Sequence, residues 1–256
     1  MHRHLVTTDA ISAGRITLDR SEARHFATVL RLGAGDDVEL FDGKGSTARF
    51  RIVASERSSM TLERQGDARL TPPPQCRLIL GACISKGKRM DWTIEKAVEL
   101  GAAEIIPIAS RFSVVRVADD EAKRERWERI AIDAARQSSA AYLPEITEPM
   151  SFDDAMARID DGDPGTAIFA GALQPDAIPL RDAIAARRAL PCPVRRAAWL
   201  VGPEGDFSPE EYAEMRRRSF NFVSLGDTVL RTETAAIYGL CVLGAEYLVK
   251  SSGANS

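Results

Sequence analysis

Histidine and cysteine are both scarce in this chain: His2, His4 and His25 are its three histidines, and Cys76, Cys83, Cys192 and Cys241 its four cysteines, among 256 residues. The cysteines form no CxxC pair and three of them lie in apolar surroundings, so buried reduced thiols are expected rather than a zinc site or a disulfide framework. With so few histidines, a histidine-based metal centre is not expected either. Long apolar runs are also missing. None approaches the roughly 20 residues that a membrane span needs, and the opening MHRHLVTTDA lacks a signal peptide's apolar core, so a cytoplasmic location is expected. No charge of one sign dominates: 34 Lys and Arg against 37 Asp and Glu leave a formal charge of −3. That gives no global sign of nucleic-acid binding, and any such contact has to come from a local basic patch. Finally, neither GxGxxG nor GxxxxGK[ST] occurs, which removes a nucleotide-binding dehydrogenase from consideration.

What is present is the composition of an ordinary globular protein, 45% hydrophobic and 28% charged, long enough for one large domain or two unequal ones. Up to about residue 70 the chain reads as short strands. Residues 15–18 and 38–41 are brief and β-prone, Asp42-Gly43-Lys44-Gly45 is a turn, and in 46–54 Ala48, Phe50, Ile52 and Ala54 alternate with polar residues. Residues 60–64 add a further strand. One helix interrupts them, capped by Ser21, with Ala23, Phe26, Ala27 and Leu30 as its buried stripe. A small β-barrel with one helix is the economical fold. Thr71-Pro72-Pro73-Pro74 then forces an extended, stiff backbone suited to a linker, which separates a domain over 1–72 from one over 75–250.

Past the linker, strands alternate with helices. Apolar runs at 77–83, 104–109, 166–170, 197–201 and 221–225 read as buried strands. Helical patterns cover 91–100, ended by Gly101, and 121–137. A last helix over 234–250 carries Ile237, Leu240, Cys241, Gly244, Tyr247 and Leu248 on one face. This alternation predicts an α/β fold, a parallel sheet covered on both sides.

Ligands of open parallel sheets bind beyond the carboxyl ends of the strands, and Gly202-Pro203-Glu204-Gly205 follows such an end. A phosphate suits this loop poorly. It contains no lysine, and a carboxylate such as Glu204 or Asp206 about 4 Å from a phosphate costs on the order of 4 kcal/mol at an effective dielectric near 20. A cationic ligand without phosphate fits better; S-adenosylmethionine, with its sulfonium and ammonium, has that character. Glycines allow its close approach, and backbone groups can bind its adenosine. The plain alternative is a tight strand-to-helix connection in which Ser208 and Glu211 form a capping box.

A second stretch, SLGDTVLRTETAA from Ser224 to Ala236, again leaves a strand, crosses a loop and opens a helix. Capping by Thr232 or Thr234, with Glu233 in the first turn, accounts for part of it. It does not account for Arg231, because positive charge is mildly unfavourable at a helix start.

Together, LVGPEGDFSPEEY and SLGDTVLRTETAAIYGL closely resemble the SPOUT methyltransferases, and more narrowly the RsmE-type family, which methylates N3 of one uridine in 16S ribosomal RNA. RHFATVLRLGAGDDVELFDGKG and KGKRMDWTIEKAVELGAAEIIPIASRFSVV support the resemblance, which is thin between Asp153 and Arg196. It implies a small PUA-like, RNA-gripping β-barrel joined to a parallel-sheet catalytic domain. In that domain the chain is threaded into a deep trefoil knot that holds S-adenosylmethionine, and the domain dimerises. The implied cofactor pocket consists of Gly202, Pro203, Glu204, Gly205, Leu225, Gly226, Leu230, Arg231, Thr232, Glu233, Thr234 and Ala235, with Gly171 at its rim. The chain departs from the family in one place. Arg136 and Ala140 stand where relatives often carry Glu and Arg around a Gln-Ser pair, kept here as Gln137 and Ser138.

Uracil N3 is a poor nucleophile until its proton leaves. Arg231 is therefore assigned the stabilisation of the charge that develops on the ring, while Glu233 orients it or accepts a proton; no histidine is placed to act as a base. N3 lies on the Watson–Crick edge, so the target has to be exposed or flipped. Two basic clusters are candidates for the RNA backbone. One is Arg24, His25 and Arg31, with Arg24 and Arg31 seven residues apart and so on one side of a helix. The other is Lys86, Lys88 and Arg89, in a glycine-containing loop. Arg216, Arg217 and Arg218 read as dipole pairing at a helix end. The expected partner is 16S ribosomal RNA within the small subunit, with no metal and no membrane. Two alternatives remain open: the same fold acting on another rRNA or tRNA position, and a non-catalytic RNA-binding or ribosome-assembly factor.

Overall fold

The computed structural model describes residues 1–56, 58–113 and 120–249; Val114, Val115 and Lys250, which belong to stretches read above, lie outside the described residues. The chain divides into one unit of Met1–Pro73 with Ile132–Leu143 and a second of Pro74–Ala131 with Pro144 onward.

The first unit holds β1 (His2–Leu5), α1 (Thr8–Ala13), β2 (Arg15–Leu18), α2 (Arg20–Arg24), β3 (Asp37–Phe41), β4 (Ser46–Ser55), β5 (Met60–Arg64) and β6 (Arg69–Leu70). Its sheet order is β1-β3-β4-β5-β2, with β6 on β4, antiparallel except for the parallel β1–β3 pair. Alternation works as expected in β4: Ala48, Phe50 and Ile52 are buried with Val38, Leu40, Leu62 and Phe26. The helical reading needs three corrections. A second helix, α1, stands beside the expected one. The cap of α2 is Asp19, not Ser21: its carboxylate accepts the Glu22 amide at 2.9 Å, while Glu22 bonds back to the Asp19 amide. Beyond Arg24 the helix widens into a π-helical turn over His25–Val29, in which the Leu30 amide reaches the His25 carbonyl five residues back. That extra residue breaks the 3.6-residue register. Ala23 and Phe26 remain buried, but Ala27 is exposed. Arg31, at φ 57, has left the helix, so its spacing from Arg24 does not put the two on one helical side.

The second unit contains β7 (Arg77–Cys83), α3 (Arg89–Glu99), β8 (Glu104–Ala109), α4 (Asp120–Ser138, counted with the first unit from Ile132), β9 (Glu145–Ile146), β10 (Met150–Ser151) and α5 (Phe152–Ile159). It continues with β11 (Thr166–Gly171), β12 (Ile178–Pro179), α6 (Leu180–Arg188), β13 (Arg196–Val201), α7 (Pro209–Arg217), β14 (Asn221–Ser224) and α8 (Thr232–Tyr247). These strands form one parallel sheet in the order β10-β8-β7-β13-β11-β14-β12, with β9 on β8. Both faces are covered. Ile79, Ile108, Ala170, Leu200 and Phe222 pack with Met156 of α5 and with Tyr212 and Met215 of α7. The opposite face carries Trp199 against α8, and α8 in turn packs on α3.

The last helix starts at Thr232, and neither Thr232 nor Thr234 caps it; Arg231 holds the cap position without a side-chain bond. Its buried face is also rotated from the expected one: Thr232, Ala236, Gly239, Leu240 and Leu243 are inside and Cys241 is exposed. A helix that is apolar nearly all round has no pattern from which to select one face. Gly239 decides it, because a Cβ there would fall 2.1 Å from the Trp199 ring, so only this side can close on the sheet. Of the thiols expected to be buried, Cys76 and Cys83 are, and burial pushes Cys83 up to about 12; Cys192 is half-buried. Among the described residues no helix is long and apolar enough to cross a membrane, and no cluster of His, Cys, Asp and Glu is arranged for a metal.

Candidate functional site

Three parallel strands deliver their carboxyl ends to one cavity of about 320 Å³. Gly171 and Ala172 come from the end of β11, Val201 to Glu204 from the end of β13, and Val223 to Gly226 from the end of β14; Thr228 to Thr232 and Ala235 close it from the start of α8. The wall is kept thin by close packing. A Cβ on Gly171 would come within 3.1 Å of the Trp199 ring, and one on Gly202 within 3.1 Å of Phe207. Trp199 is fixed from its other end, where its indole nitrogen donates to the Ala235 carbonyl at 3.1 Å.

The loop after β13 is held by its own acids. Asp206 has a left-handed φ of 63, stabilised by its carboxylate accepting from the Phe207 amide at 2.8 Å and the Tyr212 hydroxyl at 2.7 Å. Ser208 and Glu211 form the capping box of α7, and Glu211 also accepts the Arg111 amide at 2.9 Å. Glu204 stays at the surface, where it takes a 2.7 Å hydrogen bond from Arg89. Asp206 is thus occupied in shaping the loop, and Glu204 shares its charge with an arginine.

Of the residues expected in the cofactor pocket, Gly171, Gly202, Pro203, Glu204, Leu225, Gly226, Leu230, Arg231, Thr232 and Ala235 line this cavity. Gly205 does not; it packs toward Phe112. Glu233 and Thr234 face a second, wider cavity of about 730 Å³, which they line with Lys86, Lys88, Arg89, Trp92 and Arg231. Arg231 is therefore common to both cavities. Among the described residues its guanidinium has no hydrogen bond or ion pair, and neither Lys86 nor Lys88 has a carboxylate partner. Glu233 lies nearer Arg89, at 3.9 Å, than any other cation, and its Oε2 is buried without a hydrogen-bond donor.

Gly87, at φ 66, turns the chain so that Lys86 and Lys88 stand exposed just before α3; Arg89 is the first residue of that helix rather than part of the loop. Arg24 and Arg31 are exposed, and His25 joins His2, His4 and Arg136 around a separate cavity of the first unit. Arg216 pairs with Asp176, and Arg217 and Arg218 pair with Glu214. Residues that sequence reasoning did not place in the first cavity are Ala172, Leu173, Val201, Asp206, Val223, Ser224, Thr228 and Val229, and in the second Trp92. Position just beyond a strand end was the available signal for the first two. Nothing in the sequence alone marked Trp92.

Comparison with known proteins bears on this arrangement. A family model described as an RNA methyltransferase domain matches residues 71–244, and another, an RNA methyltransferase PUA domain, matches 18–63. The chain is 28% identical over 238 residues to the ribosomal RNA small subunit methyltransferase E of Bacillus subtilis, covering 90% of each protein. It is 30% identical to the protein of the same name from Mycobacterium bovis, covering 89% of this chain and 85% of that one. A crystal structure of ribosomal RNA small subunit methyltransferase E from Neisseria gonorrhoeae bound to S-adenosyl methionine superposes with a TM-score of 0.82 at 28% identity, over 96% of this chain and 98% of that one. The chain belongs to this RNA methyltransferase family.

Proposed function

We propose that this chain uses S-adenosylmethionine to methylate N3 of a specific uridine in 16S ribosomal RNA of the small subunit, in the cytoplasm. The observation that carries the reading is Arg231, which has no ion-pair partner among the described residues and lines both a glycine-lined cavity and a second, basic one. The names of the relatives and the methyl donor in the Neisseria gonorrhoeae structure support it.

The residues present fit that donor. Backbone and apolar groups surround a space in which Glu204 disfavours phosphate, and a Cβ at Gly171 or Gly202 would narrow it. Gly171, Gly202, Pro203, Leu225, Gly226, Leu230, Thr232 and Ala235 hold the donor, with Glu204 at the rim. When bound, S-adenosylmethionine would supply a methyl group already activated by its sulfonium, with the neutral thioether as leaving group and the N3 proton lost to solvent. Arg231 stabilises the negative charge that proton loss spreads over the ring. Glu233 positions Arg89 rather than Arg231, and Thr234 lines the acceptor side. Lys86, Lys88 and Arg89 contact the RNA backbone.

The same reading extends to the rest of the chain. The first unit grips RNA through Arg24, His25 and Arg31 as a PUA-like domain. The chain around β13, β14 and α8 forms a deep trefoil knot, a topology supported by β11 lying between β13 and β14 in the sheet. A homodimer covers the outward apolar side of α8, where Tyr238 and Cys241 are exposed.

Two measurements test the proposal. Calorimetry should detect S-adenosylmethionine binding with a one-to-one stoichiometry per chain. Mass mapping of small-subunit RNA from a deletion strain should show loss of a single N3-methyluridine. Absent donor binding, or loss of a different modification, would sink the assignment.

A further inference from the structure

We infer that the basic cavity is the docking site of the target base itself, and that Trp92 is the platform on which the base stacks. The inference rests on the methyltransferase reading and adds to it the place of the acceptor.

The chain has three tryptophans, and two are spent on packing: Trp127 is 4% exposed and Trp199 is fully buried. Trp92 is 43% exposed, and among the described residues its indole has no ring contact or hydrogen bond. A lone apolar residue at a surface needs no explanation. Trp92 differs by its company, because it shares a cavity of about 730 Å³ with Lys86, Arg89 and Arg231. It stands on α3 between the buried Met90 and the buried Thr93 and Ile94, so the helix is anchored on its inner side and offers the indole on its outer one.

An open aromatic face ringed by cations is the chemistry that binds an unpaired nucleotide. The ring takes the base by stacking, and the cations take the phosphates. Neither part works on a base inside a duplex, which agrees with a reacting nitrogen on the Watson–Crick edge. Stacking tolerates every base, so Trp92 supplies affinity and alignment rather than base identity. The placement also serves the reaction. Arg231 borders this cavity and the donor cavity alike, so a pyrimidine lying on Trp92 lies beside a residue that also lines the donor cavity. Once N3 has lost its proton, the charge resides largely on the two carbonyl oxygens, and Arg231 and Arg89 are among the donors lining the cavity that can receive them.

The test uses the full-length protein with Trp92→Ala and Trp92→Phe, unmodified small-subunit particles and S-adenosylmethionine. Donor affinity by calorimetry should be unchanged in both variants. Single-turnover methylation by Trp92→Ala should fall about tenfold or more, and Trp92→Phe, which keeps an aromatic face, should recover most of it. A uridine-containing single-stranded oligonucleotide should quench tryptophan emission in the parent protein, and that quenching should vanish in Trp92→Phe. Methylation by Trp92→Ala within twofold of the parent would overturn the inference and leave the methyltransferase reading standing. So would a shift to monomer in sedimentation, which would make Trp92 a subunit contact. A parent protein that binds the donor yet methylates nothing would overturn both.

Discussion

Arg89 donates from Nη1 to Oε1 of Glu204 at 2.7 Å, tying the first residue of α3 to the glycine loop that follows β13. Its Nε lies 3.9 Å from Glu233, so one guanidinium faces two carboxylates at the mouth of the site. Lys86 and Lys88, only a few residues away, have no such partners among the described residues. Three cations that look equivalent in the sequence therefore differ in how much charge they can offer to RNA.

That difference is measurable in a salt series. Lys86→Ala and Lys88→Ala should each flatten the dependence of log affinity on log salt by about 0.7, the value for one single-strand phosphate contact. Arg89→Ala should change the slope less, since Glu204 and Glu233 already offset its charge. Equal slopes for all three variants would show that RNA draws Arg89 away from both acids. The Arg89–Glu204 pair itself should hardly matter to folding: both side chains are more than a third exposed, and a double-mutant cycle on thermal stability should give less than about 1 kcal/mol.

Gly239→Ala probes the close approach of α8 to the sheet. The added methyl would lie 2.1 Å from Cε2 of Trp199, a ring already confined on its other side by Gly171. Alanine is the better helix former by about 1 kcal/mol, so a stabilised variant is the default outcome in an open helix. Here overpacking costs about 1–3 kcal/mol or more and should reverse that sign. The melting temperature should fall. Donor affinity should fall with it, because Ala235, which accepts the Trp199 indole hydrogen bond, lines the cavity. A raised melting temperature would mean that the helix slides aside without cost.

The parallel sheet was legible in the sequence because its strands are buried on both faces and so read as unbroken apolar runs. The bounds expected for the strands at 77–83 and 104–109 are those observed. Capping at Ser208 was legible for a local reason: proline at the first helical position and glutamate three residues after serine mark a helix start whatever surrounds it. The π-turn after Arg24 was not legible, since nothing in HFATV marks an inserted residue, and the shifted faces of Ala27 and Arg31 follow from it. The face of α8 was hidden by its own hydrophobicity. For the candidate site, the resemblance named most of the residues around the first cavity. The meeting of Arg89 with Glu204 and Glu233 joins three distant segments, which no spacing rule encodes.

His4 should make the first unit sensitive to mild acid. Burial, with help from Arg136 and His25, holds its pKa below the ordinary value of 6.5, against the opposing pull of Glu22 at 3.4 Å. A histidine lowered on folding favours the neutral form, so its contribution is fully present above 6.5 and is lost as pH falls through that value toward the folded one. Hydrogen-exchange protection of β3 and β4 should therefore drop as pH falls below 6.5. His4→Phe, whose ring can keep the edge-on contact with Phe26, should show a smaller drop. An identical decline in both proteins would assign the acid sensitivity to other groups.

Arg231 gives the most direct check on the chemistry. Its guanidinium stands at a helix start, where a cation is mildly unfavourable, without a partner among the described residues, so its removal should leave folding unchanged or slightly improved. If it stabilises charge on the ring in the transition state, Arg231→Ala should lower the single-turnover rate about a hundredfold or more. Donor affinity, by contrast, should stay within about threefold, because an interaction made only in the transition state leaves ground-state binding alone. Arg231→Lys keeps the charge but not the planar fork, and should fall between the two. The pattern that would contradict this role is the reverse one, weakened donor binding with an unchanged rate at saturation. That would make donor binding the role of Arg231 and leave the charge on the base to Arg89 and Lys86.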